Sequence, residues 1–154
     1  MTTLEQEVQR LKDIEEIRLL KTRYAELCDD HYNPDGLAAL FTEDAVWDGS
    51  PMGRFVGREQ IREFYAGVSA RIPFALHMTM CHRIEIAPSG SEASGHWYTW
   101  TPAILHGRAV FMASNHSDEY KKAGGKWLIH RVKSTIHFIT PYESGWVKEP
   151  FLKP

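Results

Sequence analysis

Apolar residues recur every three or four positions through the first thirty residues of the chain. They are Leu4, Val8, Leu11, Ile14, Ile17, Leu20, Tyr24 and Leu27. This spacing places the side chains on one face of an α-helix, so the sequence predicts a long amphipathic helix from Leu4 to Cys28. An alternative interpretation makes residues 4–11 a separate initial turn. A turn at residues 33–36 and a short helix over residues 37–41 are expected to follow.

Two short strands and a second helix are predicted next. The strands cover residues 45–47 and 54–56, and a segment rich in Gly and Pro separates them. A second long helix is predicted to begin at residues 57–59. Its inner face would carry Ile61, Phe64, Tyr65, Val68 and Ile72.

The rest of the chain predicts four long strands joined by tight turns, over residues 76–86, 92–105, 109–121 and 127–138. Helices that precede strands in one block favour an α+β fold over an alternating α/β fold. We expect a strongly curved antiparallel or mixed sheet, wrapped around two to three N-terminal helices, that forms a cone with an internal pocket. Residues 1–154 would form a single domain with its core at about 10–138, and residues 139–154 would form a tail or lid.

Composition narrows the class of protein. Of 154 residues, 43% are hydrophobic and 25% are charged, which is ordinary for a globular domain. The net charge of −2 gives no basic field for nucleic acid or an anionic membrane, and no run approaches the roughly 20 apolar residues of a membrane span. The start of the chain lacks the apolar core of a signal peptide. Cys28 and Cys81 are interpreted as reduced core residues, so we expect a cytoplasmic protein.

Two ionisable residues in apolar settings carry the candidate chemistry. An acid, Asp29 or Asp30, closes the first helix, and His77 lies between Leu76 and Met78. Burying either group is costly unless the two satisfy each other, and a carboxylate that binds an imidazole holds its tautomer. Helical phase does not choose between the two acids. The alternative is that the acid ends the helix and that the histidine is a structural residue bonded to the backbone.

Aromatic residues are abundant, with five Trp, six Tyr and seven Phe, and several belong to elements that should surround a pocket. The predicted substrate-binding residues are Tyr24, Trp47, Phe55, Tyr65, Trp97, His116 and Arg131. Core packing is the alternative role for the aromatic residues, and a solvated face is the alternative for Arg131. The eight histidines show no metal-ligand spacing such as His-x-His or His-Glu-x-x-His, so no metal site is predicted.

Five segments resemble the nuclear transport factor 2-like superfamily and, within it, the SnoaL-like branch. They are residues 17–29, 38–47, 55–61, 76–78 and 125–129. The resemblance implies the cone-shaped α+β fold over most of the chain. Folds of this kind serve cyclases, dehydratases, isomerases and binding proteins alike, so the chemistry has to come from the site itself.

The local motifs look like those of cofactor-independent lyases such as scytalone dehydratase, bile-acid dehydratase and lindane dehydrochlorinase. Those proteins place an Asp at the end of the first long helix and a His after the last one, positions that Asp29 and His77 occupy here. The resemblance therefore favours Asp29 over Asp30. Residues 138–141 also resemble a Phe-x-Thr-Pro segment of the dehydrochlorinase.

These observations together predict a cofactor-free lyase that acts on a small hydrophobic molecule, either aromatic or polycyclic. His77 would abstract a proton and Asp29 would hold the imidazole. The reaction would be elimination of water or halide, or a retro-aldol cleavage that releases a small aldehyde. An isomerase, a cyclase or a non-catalytic binding module are the alternatives. A homodimer or homotrimer is expected.

Overall fold

The first helix begins at a capping box. In the computed structural model, which describes residues 3–153, the Thr3 hydroxyl accepts a hydrogen bond from the Gln6 backbone N–H, and the Gln6 side chain accepts one from the Thr3 N–H. Helix α1 then runs without a break over Leu4–Asp29, so the alternative of a separate initial turn is wrong. Its first two turns are exposed at Leu4 and Leu11, and its buried face starts at Asp13.

The remaining elements follow in the predicted order. They are α2 (Pro34–Ala39), β1 (Phe41–Asp48), β2 (Arg54–Val56), α3 (Arg58–Ala66), β3 (Phe74–Ala75), β4 (Met78–Ile86), β5 (Glu92–Leu105), β6 (Arg108–Ala123), β7 (Lys126–Pro141) and α4 (Gly145–Lys148). Helix α3 is shorter than predicted. It ends before Gly67, and the buried Val68 and the half-buried Ile72 lie on the turns that follow.

The strands form one curved mixed sheet, which confirms the predicted α+β fold. Its order is β2-β1-β7-β6-β5-β3, and β4 also pairs with β5. Strands β1 and β7 are parallel, and the other pairs are antiparallel. Register shifts interrupt the β4–β5 and β6–β7 pairs, and bulges of this kind bend and twist strands. The sheet thereby curls around α1 and α3, and the core lies between them.

Two residues differ from their predicted settings. His77 lies in the gap between β3 and β4 and not inside a continuous strand over residues 76–86. Cys81 sits at the β4 irregularity with a φ of 51°, and its side chain is exposed, so its prediction as a core cysteine is wrong. Cys28 is buried as predicted. Over the described residues, no helix is long and apolar enough to cross a bilayer.

The tail lies along β7. Phe151 forms a parallel bridge with Ile139, and the Leu152 N–H donates to the Ile139 carbonyl at 2.7 Å. The Trp146 ring stacks on Phe138, with ring centroids 5.3 Å apart, and its edge meets Trp100. The tail therefore covers a group of aromatic rings on the outer face of the sheet.

Asp13 fastens α1 to the far end of the sheet. Its Oδ1 accepts hydrogen bonds from the Lys122 ammonium of β6 and, at 2.9 Å, from the Trp127 indole of β7. Burial acts to raise the pKa of the Asp13 carboxyl, but the bonds from Lys122 and Trp127 outweigh it, so the pKa lies below its usual value.

Replacing this carboxylate should weaken the fold in a pH-dependent way. We expect Asp13→Asn to lower the free energy of unfolding by about 1.5–3 kcal/mol at neutral pH, because the acceptor loses its charge. A carboxyl with a lowered folded pKa stabilises the fold above its unfolded pKa of about 3.9, and that stability disappears as the pH falls through the folded value. The difference in free energy of unfolding between Asp13→Asn and wild type should therefore shrink at acidic pH. Urea unfolding between pH 7 and pH 3 measures it, with the exposed Glu16→Gln as the control.

Candidate functional site

The end of α1 and the gap between β3 and β4 meet at a carboxylate–imidazole pair. Asp29 Oδ1 lies 2.8 Å from His77 Nδ1 and also accepts the His77 backbone N–H at 2.9 Å. Both side chains are half-buried, with 29% of Asp29 and 15% of His77 exposed. A carboxylate only accepts hydrogen bonds, so His77 Nδ1 carries the hydrogen and Nε2 of the neutral ring is an acceptor. Asp30 lies 3.9 Å from His31, so Asp29 and not Asp30 is the carboxylate that binds His77.

Tyr32 completes the setting of this pair. Its ring meets the His77 ring edge-on, with centroids 5.6 Å apart, and it stacks on Tyr65. His31 and Tyr32 both have left-handed backbone conformations, with φ of 53° and 55°, and they turn the chain sharply after α1. A tyrosine in this conformation is uncommon and sequence spacing does not indicate it, so the analysis of periodicity missed Tyr32.

His77 opens onto a cavity inside the cone. The cavity has a volume of about 60 Å³. Its wall includes Tyr24, Cys28, Tyr32, Trp47, Tyr65, His77, Thr99, Thr101, Ser114, His116 and Ser134. An adjoining lobe of about 250 Å³ shares five wall residues with it and is otherwise lined mainly by apolar side chains such as Leu105, Val110 and Ile139. The site thus has a small inner lobe that carries His77, His116 and several hydroxyl groups, and a larger lobe beyond it lined mainly by apolar side chains.

Two phenols form part of the inner wall. The hydroxyls of Tyr24 and Tyr65 lie 2.6 Å apart, and the Trp47 indole donates to the Tyr24 oxygen at 3.2 Å. Burial raises the pKa of both phenols, so they stay protonated. One hydroxyl donates to the other, which leaves one phenolic hydrogen for a ligand whichever way the pair is arranged.

A buried ion pair lies next to His116, whose ring meets the Tyr24 ring edge-on. Lys21 of α1 places its Nζ 2.7 Å from Asp118 Oδ2 and 2.8 Å from His116 Nδ1, and both charged side chains are fully buried. The Tyr120 hydroxyl donates to the same Asp118 oxygen at 2.9 Å. Burial, followed by the positive charge of Lys21, holds the pKa of His116 well below its ordinary value, so this histidine is neutral.

A protein-family model matches most of the chain. The model, described as the SnoaL-like domain, matches residues 9–133. The chain belongs to the SnoaL-like family. The resemblance found in the sequence is confirmed, and the cone with its internal cavity is the fold that it implied.

Solved structures agree with the SnoaL-like assignment. A candidate aromatic ring hydroxylase from Novosphingobium aromaticivorans is 27% identical over 85% of this chain and 94% of that one, with a TM-score of 0.77. A candidate scytalone dehydratase from the same organism is 20% identical over 87% and 90% of the two chains, with a TM-score of 0.79. The hexachlorocyclohexane dehydrochlorinase LinA-type3 from Novosphingobium barchaimii is 20% identical over 96% and 99%, with a TM-score of 0.81. The last two similarities establish a shared fold.

Four of the seven predicted substrate-binding residues line the cavity of this SnoaL-like domain. They are Tyr24, Trp47, Tyr65 and His116. Phe55 lies one layer away, stacked on Phe64 with ring centroids 4.3 Å apart, and lines neither lobe. Trp97 is buried behind the wall, where its indole donates to Tyr120.

Arg131 is the prediction that the strand geometry overturns. The β6–β7 register skips His130, and this bulge moves the buried positions of β7 from Trp127 and Ile129 to Val132 and Ser134. Arg131 therefore leaves the inner face and meets Glu119, with 41% of its side chain exposed. Across the described part of the chain, no group of three or more His, Cys, Asp and Glu side chains is arranged to hold a metal ion.

Lys21 lies beside the site, but the sequence pattern did not identify it as a functional residue. It stands four residues after Ile17 on the face that packs into the cone, but a lysine in such a place is normally assigned to solvent. The only signal in the sequence was its helical phase.

Removal of only one member of the Lys21–Asp118 ion pair should destabilise the fold strongly. We expect Lys21→Met to lower the free energy of unfolding by about 3–5 kcal/mol, because Asp118 would keep a buried charge without its partner. The double variant Lys21→Met/Asp118→Asn should lower the free energy of unfolding by much less. Guanidinium denaturation measures both. The exposed pair of Arg62 with Asp35 provides the control, and Arg62→Met should leave the midpoint of unfolding close to that of wild type. A Lys21→Met protein as stable as wild type would contradict the buried pair.

Proposed function

We propose that this protein is a cofactor-independent lyase, with His77 as its base and Asp29 as the residue that orients the base. The observation that carries the proposal is the hydrogen bond from His77 Nδ1 to Asp29 at the wall of the cavity. It leaves Nε2 as the acceptor, and a base held in this way typically contributes about 10²–10⁴-fold to a rate. The carboxylate also stands where it can stabilise the imidazolium that proton uptake creates.

Two reactions fit a single base beside hydrogen-bond donors. In elimination, Nε2 takes a proton from carbon, and the C–H electron pair becomes the new double bond. Halide then leaves with the electrons of its own bond to carbon, or hydroxide leaves with them and takes the proton of the imidazolium to form water. In retro-aldol cleavage, Nε2 takes the proton of a hydroxyl, the oxygen electrons form a carbonyl, and the C–C electron pair stays on the other fragment. Both reactions develop negative charge away from the base, where a donor stabilises it.

The shape of the cavity supports a small hydrophobic substrate. The two lobes together reach roughly 300 Å³, the lower end of the range for ligand pockets. Aromatic rings of Tyr24, Trp47 and Tyr65 line the inner lobe and favour stacking with an aromatic or polycyclic ligand. Two of the similar structures carry the names of a dehydrochlorinase and a candidate scytalone dehydratase, both names of eliminating enzymes.

An isomerase or cyclase would use the same base without a departing fragment. A binding module would use the cavity without the base. The mass of the product separates these alternatives, since elimination and cleavage both lose mass, whereas isomerisation and cyclisation conserve it and a binder produces no product.

Turnover should depend on His77 and on the charge of its partner. We expect a panel of aromatic and steroid-like compounds, screened by mass spectrometry, to yield one that loses a fragment. His77→Ala should reduce that turnover at least 10²-fold, and Asp29→Asn should reduce it by orders of magnitude while the fold persists. Circular dichroism checks the fold. The neighbouring Asp30→Asn is the matched control, because Asp30 does not contact His77. Wild-type turnover by His77→Ala would remove the proposal.

We also propose that the protein forms a homodimer or homotrimer through the outer face of the sheet. Met78, Met80 and Tyr98 present exposed apolar surface there, with 40–48% of each residue exposed. Cross-strand pairing places these residues on one face, because Met80 lies opposite Tyr98. Apolar patches of this kind commonly mark protein–protein contacts.

Light scattering should report a particle of two or three chains. Met80→Glu should shift it towards the monomer, because a carboxylate in an apolar contact is costly. Lys12→Glu on exposed α1 surface is the control and should leave the mass unchanged. A strict wild-type monomer would reject the assembly.

A further inference from the structure

We propose that the Lys21–Asp118 ion pair fixes His116 as a neutral imidazole with its hydrogen on Nε2, so that His116 donates a hydrogen bond into the cavity that His77 also lines. In this assignment His116 is the donor to the oxygen or halide that gains charge, and Lys21 and Asp118 are positioning residues. The inference rests on the proposed lyase function for its chemical meaning. The state of His116 itself stands on the geometry of the buried cluster.

The direction of the Lys21 contact determines the tautomer. An ammonium group has three donors and no acceptor, so His116 Nδ1, at 2.8 Å from Nζ, must accept. A neutral imidazole that accepts at one nitrogen carries its hydrogen on the other. His116 Nε2 is therefore a donor, and within residues 3–153 no group accepts its hydrogen bond. Because His116 lines the inner lobe, this N–H is available to a ligand.

The surroundings of Lys21 support its charged state. Asp118 Oδ2 lies 2.7 Å away, and the amine sits 4.7 Å from the centre of the Tyr24 ring and 5.9 Å from that of Trp97. A carboxylate and two aromatic faces are favourable partners for an ammonium ion. The charge then acts on His116 directly, since a cation beside Nδ1 opposes a second proton on the ring.

A chain of hydrogen bonds holds the ion pair in place. Trp97 donates to the Tyr120 hydroxyl at 3.0 Å, and this hydroxyl donates to Asp118. Gly95 leaves room for the chain, because a Cβ there would come within 2.9 Å of both the Trp97 indole nitrogen and the Tyr120 ring. Trp97 thus lies two hydrogen bonds from Asp118 and does not itself line the cavity.

The two histidines of the cavity receive opposite electrostatic environments. His77 binds a carboxylate through Nδ1 and presents a bare Nε2, whereas His116 binds an ammonium through Nδ1 and presents an Nε2–H. The two neutral rings therefore present different nitrogens to the same space, one as an acceptor and one as a donor. The cavity therefore provides an acceptor at His77 and a donor at His116.

Nuclear magnetic resonance of the ¹⁵N-histidine-labelled full chain tests the tautomer without a substrate. At neutral pH we expect long-range ¹H–¹⁵N correlations to show His116 with its proton on Nε2 alone. The double variant Lys21→Met/Asp118→Asn, which avoids an uncompensated buried charge, should lose this single-tautomer signature. Arg62→Met, which breaks an exposed ion pair, should keep it. A proton on His116 Nδ1, an imidazolium, or an unchanged signature in the double variant would overturn the inference.

Glutamine variants of His116 and His77 distinguish a residue that donates a hydrogen bond from one that acts as a base. The Gln oxygen can accept from Lys21 while its amide N–H₂ donates into the cavity, so His116→Gln should keep kcat within about tenfold of wild type. His116→Leu should lower kcat by about 10²–10³-fold with a smaller change in KM. His77→Gln should be inactive, because an amide is no base. The assay uses the compound that the mass-shift screen identifies.

The outcomes distinguish the two claims. If His77→Ala keeps its turnover, the proposed lyase mechanism fails, whatever the state of His116. If His77→Ala is inactive but His116→Leu is as active as wild type, or His116→Gln is as impaired as His116→Leu, the donor assignment fails by itself.

Discussion

One row of α1, spaced by four residues, carries the charges on which the inside of the cone depends. The row reads Asp13, Ile17, Lys21, Ala25 and Asp29, so charged and apolar residues alternate along it. Unpaired charges are costly in a core, and each of the three has a partner outside α1. Asp13 and Lys21 bind residues of β6, and Asp29 binds His77 in the gap between β3 and β4. These pairings determine both the rotation of α1 about its axis and its position along the sheet. The candidate site lies where the last two pairings approach the same cavity.

The resulting division of charge explains how similar side chains can take different roles. His77 and His116 line one cavity and both bind a charged partner through Nδ1. The partner is a carboxylate in the first case and an ammonium in the second, so an anion lies beside the His77 ring and a cation beside the His116 ring. Neither partner needs to contact the substrate. Because Lys21 and Asp29 lie on the same row of α1, a single helix provides both the ammonium and the carboxylate.

Sequence spacing was informative where one periodicity holds throughout an element. It predicted α1, the strands β5 to β7 and the curved α+β fold, and the family resemblance singled out Asp29 and His77. It failed where the phase changes inside an element or a charge occupies an inner position. A single skipped residue, His130, moves Arg131 to the outside of β7, and a buried Lys21 looks in sequence like a solvated lysine. The Lys21–Asp118 pair joins residues 97 positions apart, and the β6–β7 bulge depends on how two strands pair, so a local pattern contains neither.

In the proposed lyase, the two lobes of the cavity would divide substrate recognition from chemistry. The inner lobe is small, and it holds His77, His116 and the hydroxyls of two tyrosines. The outer lobe is four times larger and mostly apolar, so it can bury a hydrophobic body but offers few polar groups to act on it. A substrate bound by apolar burial alone would gain little rate, because such binding is equal in the ground and transition states. In the proposed lyase, the inner donors would act on charge that exists only during the reaction, so selectivity for a leaving group would come from that lobe.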